Sequence, residues 1–160
     1  MPAKVKPIPT GHRAVTPYLI VKGAAQAIEF YKTAFGAVPA MEPIVHSNGH
    51  IGHAELKIGD SLIMLADEFP DMGSRGPASY GGSPVGLHIY VEDVDKVARQ
   101  IVAAGGTIKR PVENQFYGDR TGTFTDPFGH TWHVATHVEN IEPKELQRRA
   151  DEAMKKFGGS

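Results

Sequence analysis

Cysteine is absent from the 160-residue chain, so disulfides, thiolate nucleophiles and cysteine-ligated zinc are all excluded. No apolar run approaches the roughly 20 residues of a membrane-spanning helix, and the N-terminus lacks the hydrophobic region of a signal peptide. A cytoplasmic location is the resulting expectation. Net charge is nearly absent too. The formal value of −1 gives no electrostatic reason to expect nucleic acid or an anionic membrane as partner. Nucleotide-binding glycine patterns, the Walker loop and the HExxH motif are also missing.

What is present describes a globular protein. An apolar fraction of 41% with 22% charged residues suits one ordinary domain, or two small half-domains sharing a core. The 18 glycines and 12 prolines imply many turns, which favours a strand-rich or mixed fold over a helical bundle. Residues 1–13 read as a proline-containing basic extension. Strands are expected over 16–21, 37–45, 51–58 and 61–66, with a turn at Ser47-Asn48-Gly49. Ala24, Ala27, Ile28, Tyr31 and Ala34 make one apolar stripe, so residues 23–35 read as a helix stopped by Gly36. After an aperiodic loop over 69–83, strands are expected at 85–91, 107–112, 122–125 and 131–137. A helix spans 94–104 with Asp93 as its N-cap. Residues 141–160 form a charged C-terminal helix and tail.

One stretch concentrates the chemistry. Asp126-Pro-Phe-Gly-His130 reads as a tight turn in which Pro127 presets φ and Gly129 takes a positive φ. The following strand carries the only tryptophan and, with His130 before it, three of the eight histidines. His133, Ala135 and His137 share one strand face, and Trp132 takes the other. A strand between a packed layer and a cavity is the expectation.

The halves repeat. Adding 70 carries Val21 to Val91, the stripe Ala24, Ala27, Ile28 and Tyr31 to Val94, Val97, Ala98 and Ile101, Gly36 to Gly106, Gly52 to Gly122 and Gly59 to Gly129. Read without gaps, it also carries Ser61-Leu-Ile-Met-Leu to Thr131-Trp-His-Val-Ala. We expect two βαβββ modules, 14–68 and 84–138, within one domain over 14–140, each too small to bury a core alone. The fold class is α+β, with the tandem modules pairing into curved mixed sheets around a cleft suited to a small molecule.

This plan resembles the vicinal oxygen chelate superfamily (glyoxalase I, bleomycin-resistance proteins and extradiol dioxygenases), and within it the PhnB-like branch. The residues that carry the resemblance are Thr16-Pro-Tyr-Leu-Ile-Val21, Ala27-Ile-Glu-Phe-Tyr-Lys-Thr-Ala-Phe-Gly-Ala37, His53-Ala-Glu-Leu-Lys-Ile-Gly-Asp60, Tyr90-Val-Glu-Asp-Val-Asp95, Gln115-Phe-Tyr-Gly-Asp-Arg-Thr-Gly122 and Asp126-Pro-Phe-Gly-His130. It covers nearly everything from Thr16 to Glu145 and implies a homodimer.

Metal enzymes of that superfamily place His or Glu at four equivalent positions, which fall here on Thr16, Ile63, Gly86 and His133. Isoleucine and glycine offer no donor and threonine is a poor one, so a conventional metal centre is not expected. The resemblance then implies a bleomycin-resistance-like protein that binds a small organic ligand without a cofactor. Candidate ligand-binding residues are Tyr18, His53, His88, Phe116, Tyr117, Arg120 and His133. The alternative is a lyase, isomerase or dioxygenase of glyoxalase type, with Zn, Ni, Mn or Fe on a shifted site of His133, His88 and Glu55, and Glu55 as the catalytic carboxylate. Bland readings stand beside these. His53 and Glu55 can form a solvated polar face, His88 can be a core histidine, and Asp119-Arg120 can be a turn with a surface ion pair. Asp67-Glu68 reads as a polar close to its strand.

Overall fold

The computed structural model describes residues 4–158, and its chain divides into two compact units, Met1–Gly81 and Gly82–Ser160. Each unit is a mixed sheet with one helix packed on one of its faces. The α+β class and the two βαβββ modules are therefore as the sequence indicates.

In the first unit, β1 (Tyr18–Val21) leads into α1 (Ala24–Phe35), and then come β2 (Val38–Pro39), β3 (Ile44–Val45), β4 (Ile51–Ile58) and β5 (Ser61–Asp67). The strand expected over 37–45 is two short pieces. Pro39 and Pro43 explain the break, since proline cannot donate to a ladder and is tolerated only at edges. The sheet order is β1-β5-β4-β2, with β1 parallel to β5 and the other pairs antiparallel, and β3 also pairs with β4. Alternation puts Leu19, Val21, Ala54, Leu56, Ile63 and Leu65 on the face under α1, where all are buried with Ala24, Ala27, Ile28 and Tyr31. Tyr18, Met64, Glu55 and His53 take the opposite face. The 69–83 loop carries 3₁₀ turns at Pro70–Met72 and Pro77–Tyr80.

Helix α1 has no cap of its own at Gly23. The Asp67 carboxylate, arriving from β5, accepts the backbone N–H of Gly23 at 3.1 Å and of Ala24 at 2.7 Å, and its second oxygen accepts Ile51 N–H at 2.8 Å. Asp67 thus ties helix, sheet and hairpin together, and it does not merely close its strand against solvent.

In the second unit, β6 (Gly86–Tyr90) leads into α2 (Val94–Ala103), followed by β7 (Thr107–Asn114), β8 (Asp119–Thr125) and β9 (Thr131–His137). The sheet order is β6-β9-β8-β7, and β6 runs parallel to β9. Asp93 caps α2 through Lys96 N–H, as its residue type predicts. Pro111 is tolerated because β7 is the edge strand. Strand β8 begins three residues before the expected start at Gly122, so Asp119 and Arg120 are ladder residues and not a turn. The last helix, α3 (Pro143–Gly158), is fastened by Arg149, which donates to Glu139, Glu145 and the carbonyl of Phe116.

The Asp126 turn forms as expected, with Gly129 at φ 93°. Asp126 is buried. One oxygen accepts the N–H groups of Phe128 and His130, and the other accepts the Trp132 indole N–H at 2.9 Å. Trp132, Phe124 and Val134 are fully buried on the α2 face of the sheet.

Candidate functional site

The face of the second sheet away from α2 is where chemistry-bearing residues gather. Alternation places Gly86, His88 and Tyr90 of β6 there, with His133, Ala135 and His137 of β9 and Asp119, Thr121 and Thr123 of β8. His133 is directly opposite His88 on one side and Thr123 on the other. Its Nδ1 hydrogen-bonds to Thr123 Oγ1 at 3.1 Å. Its ring lies nearly parallel to that of His88, with centroids 6.3 Å apart, and His88 meets Tyr90 edge-on at 4.9 Å. A β-carbon on Gly86 would stand 2.5 Å from His133 Nε2, so the missing side chain makes the space that the imidazole fills.

Burial holds the His133 pKa below the ordinary histidine value, and charge on His88, Arg110 and Lys109 pushes the same way. His133 is accordingly a neutral imidazole at physiological pH.

These residues line a cavity of about 680 Å³ whose wall includes His88, His133, Thr121, Thr123, Arg110, Glu113, Gln115 and Tyr117, with Phe157 of α3 at its side. This volume suits a small organic molecule. Arg110 was not among the expected site residues. Strand β7 has register shifts between Ile108 and Arg110 and again between Arg110 and Glu113, so period-two alternation does not report its faces. Those shifts bring Arg110 opposite Thr123 and Glu113 opposite Thr121.

Arg120, expected to bind ligand, is turned the other way. Its guanidinium takes both oxygens of Asp95 on α2, at 2.9 and 3.0 Å, and Asn114 Oδ1 at 3.2 Å. The bland reading of an ion pair applies, with a helix as its partner. Tyr117 lines the cavity, and Phe116 is the ring packed edge-on against it at 5.2 Å. Deeper on the same face, Asp119 is buried and accepts from Tyr90 Oη at 2.8 Å and from His137 Nδ1 at 2.7 Å. Burial alone would raise the Asp119 pKa, but these two hydrogen bonds outweigh it and the net direction is down.

Tyr18, His53 and Glu55 are joined in the first unit. Tyr18 Oη lies 2.9 Å from His53 Nδ1, and His53 Nε2 lies 2.8 Å from Glu55 Oε2. His12, from the N-terminal extension, reaches the other carboxylate oxygen at 3.0 Å. The hydrogen bond from His53, with that from His12, keeps the Glu55 pKa below its ordinary value in spite of partial burial. His53 and Glu55 are thus partnered to each other and do not form a plain solvated face.

The strand registers correct the gap-free repeat. Tyr18 opposes Met64 as His88 opposes His133, and Leu56 opposes Ile63 as Phe124 opposes Trp132. The 70-residue offset holds for β1 and α1 but becomes 69 in β5 and 68 in β4. The counterpart of His133 is therefore Met64, and that of the core residue Ile63 is Trp132. The two helix caps agree. Thr136, which is 69 beyond Asp67, accepts Val94 N–H at 2.9 Å just as Asp67 accepts Ala24 N–H.

The superfamily's metal does not fit this donor set. Met64 offers only a thioether at the corrected position, Gly86 offers nothing, and Thr16 is a weak donor. Among the described residues no group of three or more His, Asp and Glu side chains is disposed to hold a metal ion. Of the shifted set, Glu55 has both carboxylate oxygens engaged by histidines, His12 and His53.

Comparison with known proteins agrees with this architecture. A family model described as Glyoxalase/Bleomycin resistance protein/Dioxygenase superfamily matches residues 11–134. The chain is 39% identical over 137 residues to the uncharacterized protein Rv0887c of Mycobacterium tuberculosis, covering 84% of this chain and 80% of that one. The crystal structure of the At5g48480 product of Arabidopsis thaliana is similar at a TM-score of 0.61 and 27% identity, over 78% of this chain and 98% of that one. A PhnB protein from Bacillus cereus shares the fold at a TM-score of 0.61 and 18% identity, over 78% and 99% of the two chains.

Proposed function

The chain belongs to the Glyoxalase/Bleomycin resistance protein/Dioxygenase superfamily, and from that premise we propose that it binds a small organic molecule on the open face of its second sheet, without the superfamily's four-ligand metal centre. The observation that carries this reading is the seating of His133. A neutral imidazole is fixed by Thr123, fills the space over Gly86, and forms part of the wall of a cavity of about 680 Å³.

The lining defines the class of ligand. Tyr117 and Phe157 present aromatic surface, Thr121, Thr123 and Gln115 present hydrogen-bonding groups, and Arg110 supplies a fixed positive charge beside them. A flat molecule bearing a carboxylate or another oxyanion satisfies all three. Glu113 restricts the choice further by disfavouring a second anionic group near it. No helix among the described residues is long and apolar enough to cross a membrane. In this reading the protein works in the cytoplasm as a homodimer, which light scattering on the purified chain tests directly.

A thermal-shift screen of small aromatic carboxylates and phosphonates tests the binding reading. A hit is expected to lose at least tenfold in affinity in Arg110→Ala and in His133→Ala. Metal analysis of tag-free protein incubated with Zn²⁺, Ni²⁺, Mn²⁺ and Fe²⁺ tests the other half. A stoichiometric ion that disappears in His133→Ala would replace this reading with a glyoxalase-type metalloenzyme.

A further inference from the structure

The hydrogen-bonded chain in the first unit has an order that binding does not require. Glu55, with side-chain exposure of only 13%, accepts from His53 Nε2–H. That bond fixes the tautomer and leaves the Nδ1 lone pair of His53 facing the phenol of Tyr18 at 2.9 Å. Tyr18 itself is 47% exposed, so the residue is accessible to an incoming molecule while its hydroxyl faces a base. His12 secures the second carboxylate oxygen, which leaves Glu55 held from two sides. Three side chains from β1 and β4 thus stand as nucleophile, base and orienting carboxylate.

We propose that Tyr18, His53 and Glu55 form a second site that takes an acyl group from an activated carboxylic ester. Tyr18 Oη attacks the ester carbonyl carbon, and His53 Nδ1 takes the phenolic proton as the C–O bond forms. The tetrahedral intermediate then collapses with cleavage of the bond to the leaving group. His53 returns the proton to the departing oxygen, giving acyl-Tyr18 and the free alcohol or phenol, with no oxidant, reductant or metal in the balance. The imidazolium formed in between is stabilised by Glu55, which is a positioning residue and does not touch the substrate. Burial and the neighbouring Glu55 charge raise the Tyr18 pKa. The resting group is a phenol, and proton transfer to His53 has to accompany attack.

The second unit holds a contrast within the same chain. Tyr90 also donates a short hydrogen bond, but straight to the carboxylate of Asp119, with no imidazole between to carry the proton away. Tyr80 is more exposed than Tyr18, at 68%, and lies outside the chain of hydrogen bonds.

The test uses the full chain and p-nitrophenyl acetate. The expected result is a burst of p-nitrophenolate with acetylation mapped by mass spectrometry to Tyr18, at least tenfold faster than at Tyr80 or Tyr90. Tyr18→Phe is expected to abolish the burst. In Glu55→Gln the burst slows at least tenfold, and Glu55→Asp, which keeps a carboxylate for the imidazolium, restores part of the rate. A merely structural Glu55 would be replaced better by the isosteric glutamine than by the shorter aspartate. Should a variant fail to fold, the ¹⁵N shifts of His53 in the unmodified protein decide, with protonated Nε2 and bare Nδ1 expected. Acetylation of Tyr18 no faster than Tyr80, a Glu55→Asp variant no faster than Glu55→Gln, or the opposite His53 tautomer overturns the proposal. The readout is the Tyr18 peptide, so it stands or falls independently of any ligand for the second-unit cavity.

Discussion

The imidazole of His133 occupies the space that a side chain on Gly86 would need. A β-carbon there would stand 2.5 Å from Nε2, well inside van der Waals contact. Gly86→Ala therefore forces the ring off Thr123 and into the cavity. Overpacking of this kind costs about 1–3 kcal/mol, and the larger effect is on binding. A ligand found by screening is expected to lose at least tenfold in affinity with only a modest drop in melting temperature. Equal affinity in Gly86→Ala would show that the position of His133 does not matter.

The two arginines on the strands of this sheet make opposite predictions. Arg110 lines the cavity, whereas the guanidinium of Arg120 is spent on Asp95 of α2. Arg110→Ala is expected to abolish the preference for anionic over neutral ligands. Arg120→Ala is expected to leave that preference intact and to change the melting temperature little, as solvent screens an exposed ion pair. Calorimetric titration with a charged ligand and its neutral amide separates the two.

That contrast shows what the sequence could and could not reveal. The α1 stripe, the Asp93 cap and the Asp126 turn are local signals, and each is realised where its residues place it. The opposite faces of Trp132 and His133 follow from strand alternation, and both hold. Register across a sheet is different. The one- and two-residue slips of β5 and β4 relative to a gap-free repeat depend on loop lengths. They exchange Ile63 for Met64 as the counterpart of His133. The β7 bulges hid Arg110 in the same way, because strand parity fails across a bulge. His12 lies in an extension without periodicity, so nothing local pointed to its contact with Glu55.

The slipped repeat has its own consequence at the helix N-termini. Asp67 and Thr136 do the same work at α1 and α2, but Asp67 satisfies three backbone N–H groups where Thr136 satisfies one. Asp67→Ala leaves those groups without their acceptor, and an unsatisfied buried group costs about 1–3 kcal/mol. Asp67→Thr borrows the solution used in the second unit and is expected to recover part of the loss. Chemical denaturation of the three proteins checks the order, wild type above Asp67→Thr above Asp67→Ala.

Asp119 and His137 predict a pH dependence with a definite sign. The hydrogen bond to Asp119, followed by that to Asn140, raises the His137 pKa above its ordinary value of about 6.5. A raised histidine contributes stability that is complete below that ordinary value and is lost as pH climbs through the folded one. The net depression of Asp119 works from the other side. Its contribution is present above the ordinary carboxylate range and is lost as pH falls through the depressed value. Both are present together between about pH 4 and 6.5. The melting-temperature gap between wild type and His137→Gln is expected to peak there and shrink above neutrality. A gap that widens with rising pH contradicts the assignment.

Trp132 and Asp126 close the strand on which the cavity depends. The indole N–H is buried with the carboxylate it donates to, and the other carboxylate oxygen holds Phe128 N–H and His130 N–H. Trp132→Phe keeps most of the apolar volume but removes one donor, so it is expected to cost on the order of 1–3 kcal/mol. Asp126→Ala removes the acceptor for all three donors and opens the turn, and is expected to cost more than Trp132→Phe. Adding Trp132→Phe to Asp126→Ala should then cost less than it does in the wild type, because the orphaned indole N–H is removed with it. The coupling energy from this double-mutant cycle separates hydrogen bonding from packing. Because the Asp126 turn leads straight into the strand that carries His133, ligand affinity is expected to fall more in Asp126→Ala than in Trp132→Phe. Strict additivity in the cycle would mean that the buried pair acts by volume alone.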